Sequence, residues 1–391
     1  MIGLGLLVLS IWLFLAFGRG GFWRCRDRDD FCEPPAPSHW PKIVAVVPAR
    51  DEAPLIARSL GSLLAQDYPG DFRVILVDDQ SSDGTAGRAR EAAKPFHDRL
   101  TVLPGAPLPV GWTGKVWAMA QGEILARKDF APDYLLFTDA DIFHAPGNLR
   151  AVVARAEAGA YGLVSLMAVW RCDSAAEKAL IPAFTYFFQL IYPFGWVSDP
   201  RRKTAAAAGN LMLARADLLA KAGGVAAISN ALIDDCAFGA LMKGKGAVWL
   251  GLSKRLRSLR AYPRFGDIGR MVSRSAFAQL RFSYPLLALT SLGLVLTFFV
   301  PVLLAFFAEG AAGVLGIAAF VLMSVSFAPI QRFYGLPRWR AATLPLIAAP
   351  YLFYTLESAW AYSRGRGGMW KGRAQAHLAR RERAEIETEK P

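Results

Sequence analysis

Three acidic clusters in this chain of 391 residues contain side chains that can hold a divalent cation and accept a proton. They are Asp78-Asp79, Asp139-Ala140-Asp141 and Asp234-Asp235. Mg²⁺ and Mn²⁺ take oxygen ligands from carboxylates, and a carboxylate that stays free of metal can act as a base. The clusters predict a site that binds a divalent metal and a phosphate-bearing donor and keeps one carboxylate as a base.

The central cluster has the spacing of a metal site. Side chains two positions apart at an extended strand end point to the same face. Mg²⁺ and Mn²⁺ usually take one or two protein carboxylates, and phosphates and waters complete the shell. We therefore predict Asp139 and Asp141 as metal ligands. His144 is a candidate further ligand, and the alternative is a packed or surface histidine.

The third cluster, Asp234-Asp235, suits proton transfer. A like charge raises the pKa of one member of a desolvated pair, as a general base requires. The alternative is an acidic pair favoured at a helix N-terminus by the helix dipole. The neighbouring Cys236 is expected to be a small buried apolar residue.

The first cluster, Asp78-Asp79, precedes a turn-rich stretch in which Asp83 could cap the next helix. One carboxylate of the pair could accept a hydrogen bond from a base N–H and so select the nucleotide. Farther on, Lys115 lies in a stretch that resembles a phosphate loop only superficially, because Val116 stands where a Walker A motif has Ser or Thr. Lys115 is either near a diphosphate or a solvated lysine.

The elements that must position these residues alternate between strand and helix. Such alternation predicts an α/β domain with a mixed, mainly parallel sheet and helices on both faces. Ligands bind such sheets at the carboxyl ends of the strands, where the first two clusters fall. The predicted strands are Ile43–Val47, Phe72–Val77, Leu100–Leu103, Tyr134–Phe137, Leu163–Val169, Leu211–Leu213 and Val248–Leu250, and the predicted helices are Ala53–Gln66, Ala86–Lys94 and Val116–Lys128.

Four apolar stretches are candidates for membrane helices, which need about 20 apolar residues. Tyr284–Ala308 and Ala311–Ile330 meet this length without a charge, and Ile2–Phe17 is a shorter stretch predicted to be an uncleaved anchor. Ala341–Tyr362 is interrupted by two prolines and Glu357. A fifth stretch, residues 179–197, is predicted to lie at the membrane interface or, alternatively, to form a buried core helix.

The distribution of arginine and lysine predicts how the chain is oriented in the membrane. Arginines follow the N-terminal anchor at once, and the positive-inside rule then keeps residues 19 onward in the cytoplasm. If all three later stretches crossed, the basic tail would lie outside, against the same rule. Either 341–362 is re-entrant or interfacial, which we favour, or the tail breaks the rule. The expected location is the bacterial cytoplasmic (inner) membrane, multi-pass, with the catalytic domain in the cytoplasm. Four cysteines without a CxxC motif fit a reducing compartment.

The formal net charge of +13 is concentrated in residues 253–281 and 364–383. Because both stretches flank predicted spans, anionic lipid headgroups are the expected partner. A phosphate-bearing donor could also use some of these charges, and no nucleic acid is expected. The predicted divisions are a membrane anchor, a linker, a catalytic domain, a membrane domain of two to three helices and a charged tail, at residues 1–18, 19–41, 42–281, 282–362 and 363–391.

The motifs together resemble family 2 glycosyltransferases of the GT-A fold. Residues 47–52 (VPARDE) are similar to the family's opening strand end, 77–85 (VDDQSSDGT) to its donor motif, and 138–141 (TDAD) to its metal-binding DxD. Residues 208–210 (AGN) with Gly223-Gly224 are similar to its acceptor-side segment, and 233–235 (IDD) to its ED motif. The resemblance covers about residues 42–281.

This resemblance implies an inverting, metal-dependent hexosyl- or related transferase that uses a UDP- or GDP-sugar and Mg²⁺ or Mn²⁺. Asp235 would be the catalytic base with Asp234 beside it, Asp139 and Asp141 would hold the metal, and Asp79 would fix the nucleotide. The implied donor-binding residues are Pro48, Arg50, Glu52, Asp78, Asp79, Lys115 and Asp139.

Within the family, residues 111–118 (GWTGKVWA), the anchor and the C-terminal spans resemble the bacterial hopene-associated glycosyltransferases, kin to ceramide glucosyltransferase. That implies a hydroxyl of a hopanoid or related isoprenoid membrane lipid as acceptor. The (Q/R)xxRW element is altered, because Ser275 replaces Trp, and Arg270 and Arg274 remain as candidate diphosphate or acceptor contacts. The rival hypotheses are transfer to a polyprenyl phosphate and a catalytically dead membrane scaffold.

Overall fold

The computed structural model describes residues 1–368, which form two compact units. The sheet unit comprises Asp27–Arg171 and Trp196–Ala261, and the helical unit comprises Met1–Arg26, Cys172–Gly195 and the described residues from Tyr262 onward. The α-helices are α1 Ile2–Leu13, α2 Ala53–Leu64, α3 Thr85–Ala93, α4 Gly114–Asp129, α5 Asn148–Ala158, α6 Ala175–Ile191, α7 Phe194–Ser198, α8 Ala216–Lys221, α9 Asp234–Lys243, α10 Phe265–Ser273, α11 Ala276–Gln279, α12 Tyr284–Leu294, α13 Val300–Phe307, α14 Gly310–Phe333 and α15 Leu344–Ser363.

The sheet unit is built on one sheet with the strand order β3-β2-β1-β4-β7-β6-β8-β5. β1 pairs in parallel with β2 and β4, β2 with β3, and β6 with β8, whereas β4–β7, β6–β7 and β5–β8 are antiparallel. The mixed, mainly parallel sheet predicted from the sequence is confirmed. The strands are β1 Ile43–Ala49, β2 Phe72–Asp78, β3 Leu100–Pro104, β4 Tyr134–Phe137, β5 Ile142–His144, β6 Leu163–Val169, β7 Leu211–Arg215 and β8 Val248–Ser258.

Burial explains why the sequence pattern located the central strands. All seven residues of β1 are buried, as expected for a strand covered by helices on both faces of a sheet. β8 was predicted as only three residues, because its pattern changes along its length. It is buried as far as Ser253 and then alternates between buried and exposed side chains up to Ser258. The short strand β5 was not predicted.

Part of the predicted linker 19–41 belongs to the sheet unit. Leu252 of β8 donates from its amide to the Asp27 carbonyl at 2.8 Å and accepts from the Asp29 amide at 3.1 Å. The buried Asp29 carboxylate in turn accepts a 2.6 Å hydrogen bond from the Ser253 hydroxyl. The sheet unit therefore begins well before residue 42. Residues 172–195 and 262–281, which fall within the predicted catalytic domain, cluster instead with the helical unit.

Two helices of the helical unit, Tyr284–Phe307 and Gly310–Phe333, are long and apolar enough to cross a membrane by length and composition. They pack closely as a pair: a Cβ atom at Gly316 would lie 2.6 Å from the Ala305 amide nitrogen. The N-terminal apolar helix, Ile2–Gly18, is shorter. Its residue Gly5 faces Leu315, and the Trp12 indole donates to the Thr297 carbonyl at 2.8 Å.

The apolar stretch 179–197 contains most of α6, which continues through Pro182, and most of the short helix α7. Proline cannot donate to the carbonyl four residues earlier, which here belongs to Lys178. The Arg340 guanidinium donates to that carbonyl instead, at 3.1 Å. Ser174 and Glu177 form a capping box at the start of the helix. The Arg340 side chain thus replaces the hydrogen bond that Pro182 cannot make, and the helix continues through the proline.

Candidate active site

The first acidic pair lies at the end of β2, and its two members differ in exposure. Asp79 is fully buried, and Arg50 covers it: one guanidinium nitrogen donates to the Asp79 carbonyl at 2.6 Å and lies 3.6 Å from its carboxylate. Asp78 is half-buried and accepts a hydrogen bond from the Ser81 amide at 3.2 Å. Asp78 is therefore the more accessible carboxylate of the pair.

The VPARDE and VDDQSSDGT segments hold each other in place. The Asp83 carboxylate accepts from the Ala53 amide at 2.9 Å and from the Thr85 amide at 3.1 Å, the first residues of α2 and α3, although the N-cap position of α3 belongs to Gly84. The Thr85 hydroxyl accepts from the Glu52 amide at 2.8 Å. The carboxyl ends of β1 and β2 are consequently one rigid edge that carries Arg50, Glu52 and Asp78.

Each aspartate of the DxD lies against a side-chain cation. A carboxylate oxygen of Asp139 is 2.8 Å from the Lys115 ammonium, and the Asn210 amide donates to the other at 3.5 Å. Asp141 accepts from the Arg260 guanidinium at 2.7 Å, and the same guanidinium reaches the buried Glu52 at 2.5 Å. The structure thus brings the DxD, Lys115 and Glu52 together. Sequence reasoning did not single out Arg260, because it lies in a basic run attributed to lipid headgroups.

Lys115 also joins the second cluster to the third. Its ammonium lies 2.8 Å from a carboxylate oxygen of Asp234. The N-termini of α4 and α9 are held together by Thr113, whose amide donates to the Ser229 carbonyl at 2.8 Å and whose hydroxyl donates to the Ala231 carbonyl at 3.2 Å. Lys115 is therefore a half-buried ion-pair partner, and not the freely solvated lysine that was the alternative.

Asp235, the predicted base, accepts hydrogen bonds from two backbone amides, that of Gly209 at 3.2 Å and that of Cys236 at 2.8 Å. Burial, followed by repulsion from Asp234, raises the pKa of Asp235 to about 6. Lys115 and the two amides oppose this rise. The carboxylate is therefore ionised at neutral pH yet basic enough to accept a proton. Its position in the first turn of α9 satisfies the helix-dipole alternative at the same time.

The remaining electrostatics favour a bound cation. Burial and repulsion from Asp141 and Asp234 raise the pKa of Asp139, although Lys115 counteracts them. The Lys115 ammonium is disfavoured by burial, but attraction to Asp139, Asp234 and Asp235 raises its pKa overall. Five carboxylates, those of Glu52, Asp139, Asp141, Asp234 and Asp235, thus meet two side-chain cations, Lys115 and Arg260. This excess of oxygen donors with negative charge suits a hard divalent cation.

The DxD does not belong to a complete protein ligand set. Among residues 1–368, no group of three or more His, Cys, Asp or Glu side chains could hold a metal ion. His144 was the candidate third ligand, and the structure contradicts that role. Its ring is buried and packs against the Thr138 hydroxyl at 3.2 Å and the Asn148 amide at 3.3 Å, and burial lowers its pKa to about 3. Asp139 and Asp141 would therefore share a metal with phosphate and water ligands.

The two arginines of the altered (Q/R)xxRW element belong to the helical unit. Arg270 forms an exposed ion pair at 2.5 Å with Asp267 on α10, and Arg274 directly follows that helix. Their predicted contact with a diphosphate or an acceptor stays a prediction.

Comparison with known proteins gives a family match for part of the chain. Residues 44–218 match the model of the family described as Glycosyl transferase family 2. This part of the chain, which carries Asp78, Lys115 and the DxD, therefore resembles a family 2 glycosyltransferase domain. Its sheet has the GT-A architecture that the motifs implied.

Two curated relatives match the chain over a similar length. The N-acetylglucosaminyltransferase of Mesorhizobium japonicum is 27% identical over 133 residues, which cover 33% of this chain and 29% of the relative. The validoxylamine A glucosyltransferase of Streptomyces hygroscopicus subsp. limoneus is 33% identical over 122 residues, which cover 31% of this chain and 25% of the relative. The chain thus spans less than a third of the length of the curated relatives it matches.

One solved structure is similar over most of the chain. The mannosyltransferase PcManGT from Pyrobaculum calidifontis, in complex with GDP-Man and Mn²⁺, has a TM-score of 0.51 and 18% identity. The similarity covers 91% of this chain and 99% of that one. At this identity it supports the fold.

Proposed function

We propose that this protein is an inverting, metal-dependent glycosyltransferase that moves a sugar from a UDP- or GDP-sugar to a hydroxyl of a membrane lipid, a hopanoid or related isoprenoid. The observation that carries the proposal is the position of Lys115, whose ammonium lies 2.8 Å from both Asp139 of the DxD and Asp234 beside the base. A donor diphosphate held at the DxD would therefore have its sugar next to Asp235.

Asp235 accepts the proton of the acceptor hydroxyl, and the oxygen attacks the anomeric carbon of the donor sugar. The new carbon–oxygen bond forms as the bond from that carbon to the diphosphate breaks, so the nucleoside diphosphate leaves with the electron pair. Asp139 and Asp141 would hold a Mg²⁺ or Mn²⁺ ion, which when bound neutralises diphosphate charge and orients the donor. The Lys115 ammonium contributes a second positive charge on the same side of the sugar.

The rigid edge formed by β1 and β2 would bind the nucleotide. Asp78 is accessible enough to accept a hydrogen bond from a base N–H, whereas Asp79, Arg50 and Glu52 are engaged inside the protein. Pro48 lies within β1 and is paired with Val77 of β2. We therefore assign direct base contact to Asp78 and a supporting role to Asp79.

A lipid acceptor is supported by the two apolar helices, Tyr284–Phe307 and Gly310–Phe333. They run antiparallel with two residues between them, so Tyr284 and Phe333 end on the same membrane face. Gly5 lies beside Leu315, and Phe22 packs on Tyr186, which packs on Phe327. The N-terminal helix therefore runs parallel to Gly310–Phe333, and we propose that it crosses as a third span.

α15 is proposed to lie along the membrane surface. Shortly before it begins, Arg340 binds the Lys178 carbonyl at the capped start of α6. At its other end, the Tyr362 ring stacks on Phe282 at 4.6 Å, two residues before the span that starts at Tyr284. Both ends of α15 would then be on one face, together with Arg19. This arrangement agrees with the positive-inside rule and with the predicted interfacial character of 341–362; the tail from residue 369 lies outside the described residues.

The topology can be tested with cysteine labelling in intact cells. In a background with the four native cysteines changed to Ser, Glu309→Cys should react with a membrane-impermeant maleimide. Ser363→Cys should react only after the cells are opened. Labelling of Ser363→Cys in intact cells would show that α15 crosses the membrane.

The activity is tested with detergent-purified protein, Mn²⁺ or Mg²⁺, a panel of nucleotide sugars and bacterial lipid extract. Metal-dependent transfer of label to a lipid, abolished in Asp139→Ala and Asp235→Asn, is the expected result, and mass spectrometry names the acceptor. A polyprenyl phosphate is already ionised and needs no base, so near-normal transfer by Asp235→Asn would favour that acceptor. Donor binding without any turnover would favour a dead scaffold.

A further inference from the structure

Lys243, the last residue of α9, uses its ammonium in an unusual way. Four backbone carbonyl oxygens lie around Nζ: those of Val197 and Thr204 at 2.7 Å, and those of Trp196 and Asp199 at 3.1 Å. Lysine side chains usually remain in water. Here the Lys243 ammonium binds four carbonyls of one segment, which has no regular secondary structure after Ser198. The loop carbonyls would lose their shared donor if the ammonium were removed.

Lys243 and two other residues of α9, Asp235 and Gly239, contact the same segment, Trp196–Gly209, which we call the strap. Asp235 accepts from the Gly209 amide at 3.2 Å. A Cβ atom at Gly239 would lie 2.3 Å from the carbonyl carbon of Ala206, so the backbones touch there. Residues 235, 239 and 243 are spaced by four and lie on one face of the helix. The strap therefore runs antiparallel to α9, with its far anchor about 12 Å along the helix from the base.

The two ends of the strap are held by different means. Near Gly209 the strap is also bonded to β6, because the Ala208 amide donates to the Ser165 hydroxyl at 2.8 Å and that hydroxyl donates to the Ala208 carbonyl at 3.2 Å. At the other end the four carbonyls converge on Lys243. The hydroxyl that Asp235 deprotonates must lie beside that carboxylate, and the strap supplies the backbone next to it. The strap is thus a wall of the space that the acceptor enters.

We propose that Lys243 is a positioning residue that sets the strap along α9 and so shapes the acceptor side of the site, without contact with either substrate. This proposal rests on the proposed function, with Asp235 as the base. The donor side, at the ends of β1, β2 and β4, meets the strap at Gly209, close to Lys115 and Asp139, and Asp235 and Ser165 hold that end of the strap independently of Lys243. Loss of the Lys243 ammonium should therefore impair acceptor use far more than donor use.

The test compares Lys243→Met with a matched control, Lys245→Met, which removes the same charge from an exposed position two residues farther on. With the donor and lipid extract that support wild-type transfer, Lys243→Met should raise the acceptor KM at least tenfold. Hydrolysis of the same donor without lipid should change less than twofold in kcat and KM. Lys243→Arg should recover part of the acceptor affinity, and Lys245→Met should behave as wild type.

Equal losses of transfer and hydrolysis in Lys243→Met, with the same unfolding temperature as wild type, would overturn the proposal, as would an unchanged acceptor KM. Hydrogen exchange separates this outcome from failure of the proposed function. Whether or not wild type transfers sugar to lipid, Lys243→Met should speed amide exchange in residues 199–208 and leave α4 unaffected. Unchanged exchange there would show that Lys243 does not hold the strap. If Lys243→Met does not fold, Lys243→Gln is measured in its place.

Discussion

The Arg260 guanidinium donates a 2.7 Å hydrogen bond to the Asp141 carboxylate, although the two residues are 119 positions apart. The pairing of β5 with β8 explains why these two residues are close in space. Ile142 is opposite Ser258, and the Leu259 amide donates to the Asp141 carbonyl at 2.8 Å, so the chain delivers Arg260 beside the DxD. The second DxD aspartate is thus oriented by an arginine from the far end of the sheet, which also holds Glu52 at 2.5 Å.

Arg260→Met should destabilise the protein. It removes the guanidinium that donates to the buried Glu52 carboxylate at 2.5 Å, and a hydrogen bond to a charged group is worth about 2 kcal/mol. The unfolding temperature in detergent should fall by about 4–8 °C. Arg257→Met, at an exposed position of β8, is the control and should change it little.

A double variant tests the cause of that loss. If loss of the ion pair between Arg260 and Glu52 is responsible, Glu52→Gln combined with Arg260→Met should regain at least half of the lost unfolding temperature. No recovery would show that Arg260 stabilises the protein through another contact.

The acidic residues predicted to bind donor and metal stand out in the sequence because they follow continuous buried strands, whose apolar runs are visible without any tertiary information. Arg260 could not be found in that way. Its role depends on the register between β8 and the three-residue strand β5, and its basic neighbours suggested lipid binding. His144 has a ligand's chemistry, but burial against Thr138 and Asn148 decided its role. Lys243 bonds only to backbone carbonyls in the contacts described, so no motif marked it.

The pH profile of the transfer rate should have an acid limb, in which the rate falls as Asp235 becomes protonated near its pKa of about 6. The base is active when deprotonated, so activity should rise with pH through that value and then level off. Asp234→Asn removes a negative neighbour that raises the pKa of Asp235, and the limb should therefore move to lower pH. The measurement is the pH dependence of kcat/KM for the acceptor. An unmoved limb would mean that another group titrates.

Lys115→Met should move the same limb in the opposite direction. The ammonium lowers the pKa of Asp235 and of Asp139, so its loss raises both. Loss of a preorganised cation at the diphosphate should also reduce kcat by about 10²–10³-fold. Lys128→Met, an exposed substitution on the same helix α4, is the matched control for lost charge. A limb that stays in place in Lys115→Met would show that Lys115 does not act on Asp235 electrostatically.

Two glycine-to-alanine substitutions in helices should have opposite effects on stability. A Cβ atom at Gly61 of α2 would meet nothing within 4 Å, so Gly61→Ala should gain up to about 1 kcal/mol from helix propensity. A Cβ atom at Gly239 of α9 would lie 2.3 Å from the backbone of Ala206, and overpacking of that kind costs about 1–3 kcal/mol.

Thermal unfolding in detergent measures both effects, with Gly61→Ala expected above wild type and Gly239→Ala below it. Because the clash falls on the strap, Gly239→Ala should also raise the acceptor KM more than the donor KM. An unfolding temperature for Gly239→Ala equal to that of Gly61→Ala would show that α9 and the strap are not in backbone contact at Ala206. The middle of the three α9 contacts would then be absent, and the strap would depend on Asp235 and Lys243 alone.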